Sequence, residues 1–285
     1  MTTSTSTMTT SKSTTPQAPD LATVKRRQQV TWASGDFSVV AARIALISEL
    51  LADSADIRAG SRVLDVATGS GNAAIAAGRS GASVLGVDYV PALLEYARLR
   101  AADEGLDVEF AEGDAENLPV PDQSFDTVLS VVGTMFAPDH ARTAGELVRV
   151  CRRGGTIALA SWTPDGFIGH MFRTISTYVP PPAGLASPLL WGTEAHLGEL
   201  FGGTTTGMRC VQRICTLRHR SPEDFVSFFR RWYGPTLKAF EALDEAGQQA
   251  LADDLTALAR RGDRHQDGGP VAIPAVYMET IMRRR

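Results

Sequence analysis

Cysteine is scarce in this chain: 285 residues carry three, Cys151, Cys210 and Cys215. They stand at no zinc-binding spacing, and three thiols make no disulfide framework. If 210–215 is a strand, the odd separation puts Cys210 and Cys215 on opposite faces, away from any shared metal. Unpaired thiols suit a reducing compartment. No apolar run approaches the roughly 20 residues needed to cross a bilayer. The first residues have neither the charged start and apolar core of a signal peptide nor the arginines of a mitochondrial presequence. A cytoplasmic protein without membrane insertion is expected. Excess positive charge is also missing. Lys+Arg number 28 against 32 Asp+Glu, for a net charge of −4, so there is no broad basic surface for nucleic acid. The closing Arg283-Arg284-Arg285 is too short to alter that, and no internal repeat is visible.

What is present belongs to an ordinary globular chain, with 44% hydrophobic and 21% charged residues. The length suits one large domain, or one domain with a cap. Residues 1–24 are rich in Ser and Thr and nearly devoid of large apolar side chains. Such a segment buries too little surface to offset its chain entropy and is expected to be a disordered tail. Residues 25–162 read as a ligand-binding core preceded by helical segments, and 163–285 as remaining strands with helical cover segments.

Val63-Leu64-Asp65-Val66 is a short apolar run leading into Ala67-Thr68-Gly69-Ser70-Gly71-Asn72, and Ala73 to Ala77 are strong helix formers. Gly69, Gly71 and Ala74 satisfy a Gly-x-Gly-x-x-Gly/Ala spacing in a strand-to-helix turn, where the backbone can approach a ligand and a helix N-terminus offers free N–H groups. A nucleotide loop and a plain tight turn share that pattern. Asp65 narrows it, because a carboxylate in an apolar strand is costly unless compensated. No Lys or Arg lies between Val63 and Ala77, so a pyrophosphate would be repelled and a ligand carrying an ammonium and a sulfonium attracted. S-adenosylmethionine (SAM) is such a ligand.

The stretch resembles the glycine-rich first motif of class I SAM-dependent methyltransferases, and the following chain repeats the likeness in order. Ser83 to Asp88 is a second apolar run closed by a carboxylate, 88 − 71 = 17 residues beyond the loop and near the spacing of a ribose-binding acid. Val108 to Ala115 is similar to the third strand and its exit, where the family's Asp and the small residue after it, here Asp114 and Ala115, face the adenine. Ser124 to Val132 is similar to the fourth strand, and Arg153 to Ala160 to the glycine turn into the fifth. The resemblance implies an α/β fold: a doubly wound, mainly parallel seven-stranded sheet (the Rossmann-like methyltransferase fold) with a helical cap. It implies SAM as cofactor, with contacts expected from Trp32, Asp65, Ala67, Gly69, Gly71, Asn72, Asp88, Tyr89, Asp114, Ala115 and Ser130. Two rival readings share the loop: an NAD-dependent oxidoreductase, and a SAM-binding module without transfer.

Methyl transfer from a sulfonium needs alignment, water exclusion and sometimes a base. His140, a short loop after the fourth strand, is the candidate base; the alternative is a first-turn helix residue beside an Asp139 cap. Ser130-Val131-Val132-Gly133 lacks the acidic or Asn residue followed by Pro-Pro and an aromatic that DNA amino-methyltransferases carry. A small-molecule acceptor is therefore expected, and no nucleic acid. Among bacterial small-molecule enzymes the likeness is to the quinone C-methyltransferase group, but where those carry a His-His pair this chain has Met135-Phe136. Residues 167–191 and 221–261, with the aromatic cluster Phe225 to Tyr233, are expected to cover the acceptor. The sequence leaves the oligomeric state open.

Overall fold

The computed structural model describes residues 20–285. The elements run α1 (Leu21–Trp32), α2 (Phe37–Arg43), α3 (Ala45–Ser54), β1 (Arg62–Val66), α4 (Asn72–Arg79), β2 (Ser83–Asp88), α5 (Pro91–Asp103), β3 (Val108–Glu112) and β4 (Phe125–Val131). They continue α6 (His140–Val150), β5 (Cys151–Trp162), α7 (Phe167–Tyr178), α8 (Glu194–Phe201), β6 (Thr205–His219), α9 (Pro222–Trp232), α10 (Gly234–Glu241), α11 (Glu245–Gly262) and β7 (Val271–Arg284).

Seven strands form one sheet in the order β3-β2-β1-β4-β5-β7-β6. The pairs β2–β3, β1–β2, β1–β4 and β4–β5 are parallel, and β7 runs antiparallel to both of its neighbours. The run of near-continuous apolar residues follows from this: Val63, Leu64 and Val66 on β1, and Val128 and Leu129 on β4, are covered on both faces. The chain leaves β1 toward β2 on one side and returns to β4 on the other. The crevice above the carboxyl ends of β1 and β4 is thus the switch point where doubly wound sheets bind ligands.

Two expectations need correction. The tail does not extend to residue 24: Leu21–Val24 are the first turn of α1, because the Asp20 carboxylate accepts from the N–H groups of Ala22 (3.1 Å) and Thr23 (3.3 Å). The rest of the expected tail lies outside the described residues. The single helix read over 39–51 is two, α2 and α3, broken at Ile44 (φ −114°, ψ 11°). Gly234-Pro235 starts α10, where a proline at the first helical positions loses no hydrogen bond. Among the described residues, no helix is long and apolar enough to cross a membrane.

Candidate functional site

A cavity opens at the switch point, where small-molecule sites of such sheets lie. Its floor comes from the turns after three parallel strands: Ala67 and Gly69 after β1, Asp88 and Tyr89 at the end of β2, and Gly113, Asp114 and Ala115 after β3. The turn after β4 (Val132, Gly133, Thr134) and the segment Phe136–Pro138 close one side, and Lys25, Gln28 and Trp32 of α1 close the top.

Two backbone positions on this wall are strained. Ala67 (φ 55°) and Val132 (φ 51°) occupy the left-handed region, which is rare for side-chain-bearing residues and an outlier for a β-branched one. Such strain is held in place by its surroundings and clusters at ligand sites. The two turns also touch: a Cβ at Gly133 would stand 2.7 Å from both the Cβ and the carbonyl oxygen of Ala67. Gly69 has room, since a Cβ there would meet only the Phe37 ring, at 3.5 Å.

Asp88 is buried, and burial pushes its carboxyl above the usual range against the pull of backbone donors. Oδ2 accepts from the Gly69 N–H at 2.8 Å and Oδ1 from the Val90 N–H at 2.9 Å. The β2 carboxylate therefore ties the glycine loop to the next helix, and each oxygen keeps a lone pair for a ligand hydroxyl. Asp114 accepts from Lys25 Nζ at 2.6 Å, and the same ammonium lies 2.8 Å from buried Glu116.

Helix α1 has no fully buried residue, so it is held by long side chains rather than an apolar face. Besides the Lys25 pair, Gln28 donates to the Phe136 carbonyl (3.0 Å) and Gln29 to the Tyr89 carbonyl (2.5 Å). Trp32 meets Phe136, Phe37 and Tyr233 edge-on at centroid distances of 4.9, 5.5 and 5.6 Å. The helix clasps the cavity from the Asp114 side to the β4 side.

Of the cofactor contacts expected from sequence, Trp32, Ala67, Gly69, Asp88, Tyr89, Asp114 and Ala115 line this cavity. Asp65, Gly71, Asn72 and Ser130 do not. Asp65 turns beneath the loop, where it accepts from Thr68 Oγ1 (2.5 Å) and the Ala74 N–H (3.0 Å), and burial raises its carboxyl to about 7. Gly71 (φ 85°) caps α4. The Asn72 amide donates to the Ala41 carbonyl (2.9 Å), and the Ser130 hydroxyl donates to the Val66 carbonyl (2.8 Å) while accepting from the Thr134 N–H (3.0 Å). All four build the wall from behind.

The charge argument drawn from Asp65 is corrected as well. The loop lacks cations in sequence but not in space, because Arg100 Nη1 donates to the Ser70 carbonyl (2.6 Å) and to Asn72 Oδ1 (2.8 Å). A carboxyl titrating near 7 is also only partly charged at neutral pH.

His140 is a buried first-turn residue of α6, beside the Asp139 cap. Its Nδ1 meets His196 Nε2 at 2.9 Å, and its ring stands edge-on to Trp191. Burial, then repulsion from His196, lowers its pKa to about 4. It lines not the cavity but a neighbouring groove, and its proximal nitrogen is engaged, so the structure gives it no place as a base.

Sequence reasoning missed Lys25, Gln28, Phe37, Leu93 and the Val132–Pro138 segment of the wall. The one available signal was Trp32, the single cofactor contact expected from the helical segments before the sheet.

A family description of a methyltransferase domain matches residues 64–159. An uncharacterised protein of Mycobacterium tuberculosis is 42% identical over 221 residues, covering 76% of this chain and 81% of that protein. A demethylmenaquinone methyltransferase of Thermus thermophilus is 36% identical over 179 residues, covering 57% of this chain and 81% of that enzyme. Among solved structures, the YcgJ protein of Bacillus subtilis superposes with a TM-score of 0.58 at 21% identity, covering 84% of this chain and 98% of that one.

Proposed function

The chain belongs to the class I SAM-dependent methyltransferases, in the group related to the quinone methyltransferases, and we propose that it methylates a small, largely apolar acceptor. Family membership decides against the oxidoreductase reading and the inert binding module. The observation that carries the choice of acceptor is the space next to the cavity. Beyond Trp32, Phe37, Val132 and Phe136, which border both spaces, lies a small chamber walled by aromatic and aliphatic side chains. No Lys, Arg, Asp or Glu lines it, which suits a neutral molecule and disfavours a phosphate or a nucleic acid.

The residues present fit the family's cofactor. The wall has an acidic group at the end of β2 for a diol and a second after β3 for an amine, and the side-chain-free Gly69, Gly113 and Gly133 on the same wall admit a close ligand. SAM supplies a methyl group already activated by positive sulfur. Asp88 would hold the ribose hydroxyls and Asp114 the adenine amine, α1 would exclude water, and the chamber would align the acceptor. No general base is assigned.

Incubating the protein with methyl-labelled SAM and a metabolite extract should move label into the organic-soluble fraction. Tight S-adenosylhomocysteine binding with no label transferred to any small molecule would sink the proposal.

The Asp114 assignment gives a sharper outcome. Calorimetry should show Asp114→Ala weakening S-adenosylhomocysteine about tenfold, the effect of losing one charged hydrogen bond. S-inosylhomocysteine, which lacks the amine, should bind the wild type more weakly than the adenosyl compound and bind the variant about equally well. An unchanged preference in the variant would assign the amine to another group.

A further inference from the structure

Arginines gather at the end of the sheet opposite the cavity, where the parallel strands begin. β1 starts at Arg62 and β5 at Cys151-Arg152-Arg153, and the antiparallel β7 ends there with Arg283-Arg284, followed by Arg285. Residues 152–153 and 283–285 are far apart in the chain, but strand pairing joins them. Arg283 lies opposite Thr156 of β5, and Arg284 opposite Thr205 of β6. Side chains continue the row: Arg283 donates to the Gly154 carbonyl (3.4 Å), Arg284 to the Arg149 carbonyl (3.3 Å) and Arg285 to the Gly203 carbonyl (3.5 Å). On the β1 side, the Arg62 N–H and the Arg152 guanidinium share the Asp126 carboxylate, at 2.6 and 2.5 Å. The row crosses β1, β4, β5 and β7, about 14 Å at the usual strand spacing.

All of these arginines except Arg284 are exposed. Among the described residues only Arg152 of the row has a carboxylate partner, since Asp56 and Asp122 of the same turns are taken by Arg58 and Arg149. Carbonyl bonds hold Arg283, Arg284 and Arg285 in place without neutralising them. Like charges kept together raise the free energy of the free protein, and an anionic partner relieves it. The chain as a whole carries −4, so this surplus of positive charge is local. It is also larger than the three closing arginines supply, because folding adds Arg62, Arg152 and Arg153 to them.

The surroundings choose among polyanions. None of the exposed large apolar side chains, Val30, Leu46, Tyr96, Leu99, Leu190 and Ile214, belongs to these turns, so this end has no apolar anchor for a lipid surface. The aromatic rings next to the row, Phe125 and Phe201, are buried, Phe125 beneath the Arg62 guanidinium (5.2 Å), so no ring is offered to an unstacked base. What remains is a narrow line of guanidinium forks. It suits carboxylates on one face of an extended chain, where alternate residues stand about 7 Å apart. We propose that this end of the sheet docks an acidic, extended segment of a partner protein, with Arg62, Arg153, Arg283 and Arg285 pairing with its carboxylates. Docking there leaves the cavity at the opposite end of the sheet uncovered.

The test uses the full chain and fluorescein-labelled octaglutamate, followed by fluorescence polarisation. The wild type should bind the peptide at about 50 mM salt and at least about tenfold more weakly at about 300 mM, because salt screens exposed charges. Arg153→Gln/Arg283→Gln removes two charges and leaves the Arg152–Asp126 pair intact. It should bind at least about fivefold more weakly, the size of two exposed ion pairs. Arg62→Gln/Arg285→Gln, at the two ends of the row, should weaken binding likewise, and melting curves check that each variant is folded. Arg220→Gln/Arg261→Gln removes the same charge from exposed positions at the other end of the sheet and should bind within about twofold of the wild type. Octauridylate and phosphatidylglycerol vesicles, the rival polyanions, should bind more weakly than the peptide. Absence of peptide binding at the lower salt, an equal loss in the Arg220→Gln/Arg261→Gln control, or binding of either rival as tight as that of the peptide would each overturn the proposal.

Discussion

Asp88→Ala is expected to lower both S-adenosylhomocysteine affinity and stability, each by about 1–3 kcal/mol. The two losses have different origins. Stability falls because the Gly69 and Val90 N–H groups lose their acceptor in a buried site. The loss is softened because the variant no longer buries a carboxyl whose charged form is disfavoured there. Affinity falls because the remaining lone pairs of that carboxylate are lost to the ribose. Asp88→Asn separates the effects: its amide oxygen can still serve one of the two backbone donors, so stability recovers partly, while an uncharged acceptor leaves binding impaired. Calorimetric titration and thermal unfolding of both variants give the two quantities independently. If Asp88→Ala melts lower yet binds the ligand as the wild type does, the β2 carboxylate serves only the loop, and the ribose role belongs elsewhere.

Much of this architecture was legible because its signals are local. Val63 to Val66 and Val128 to Leu129 are buried on both faces, so their apolar runs need no tertiary context to be read as parallel strands. The glycine spacing marked the loop after β1 because Gly69 (φ 55°) and Gly71 (φ 85°) both take the left-handed conformation that glycine adopts freely. Asp88 and Asp114 were legible from their place at strand ends. What stayed hidden depends on contacts distant in sequence. Lys25 reaches Asp114 across 89 positions, and nothing near Lys25 announces it. Asp65 looked like a ligand contact because an acid in a strand needs compensation, and it has compensation, but from Thr68 and Ala74. The aromatic cluster 225–233 was only partly a pocket. Phe229 and Tyr233 face the chamber, whereas Trp232 gives its carbonyl to Asp36 and its ring to Arg231. Helical period alone cannot divide such a stripe between core and cavity.

Stability should depend on pH through two buried groups that act in opposite directions, and single variants should separate them. Burial raises the Asp65 carboxyl from 3.8 to about 7. Between those values the folded state holds a proton that the unfolded chain has released. The stability from this group is therefore fully present below pH 4 and is lost as pH rises through 7. About three pKa units at about 1.4 kcal/mol each set its ceiling near 4 kcal/mol. His140 is the reverse: burial lowers its pKa from 6.5 to about 4, so the unfolded chain binds the proton first. Its contribution is full above pH 6.5 and is lost as pH falls through 4, with a ceiling of about 3 kcal/mol. Over pH 4–6.5 the two nearly cancel, and the wild type should show only a shallow profile from this pair. Asp65→Asn keeps an acceptor for the Ala74 N–H but cannot titrate, so its unfolding free energy should rise with pH across that window relative to the wild type. His140→Gln should do the opposite, falling relative to the wild type as pH rises. Denaturant titrations at half-unit steps measure both curves, and subtracting the wild-type curve removes the contribution of every other titrating group. Parallel curves for the Asp65→Asn variant and the wild type would mean that Asp65 keeps its charge beneath the loop, and the cation-attracting role first read from the sequence would then regain its footing.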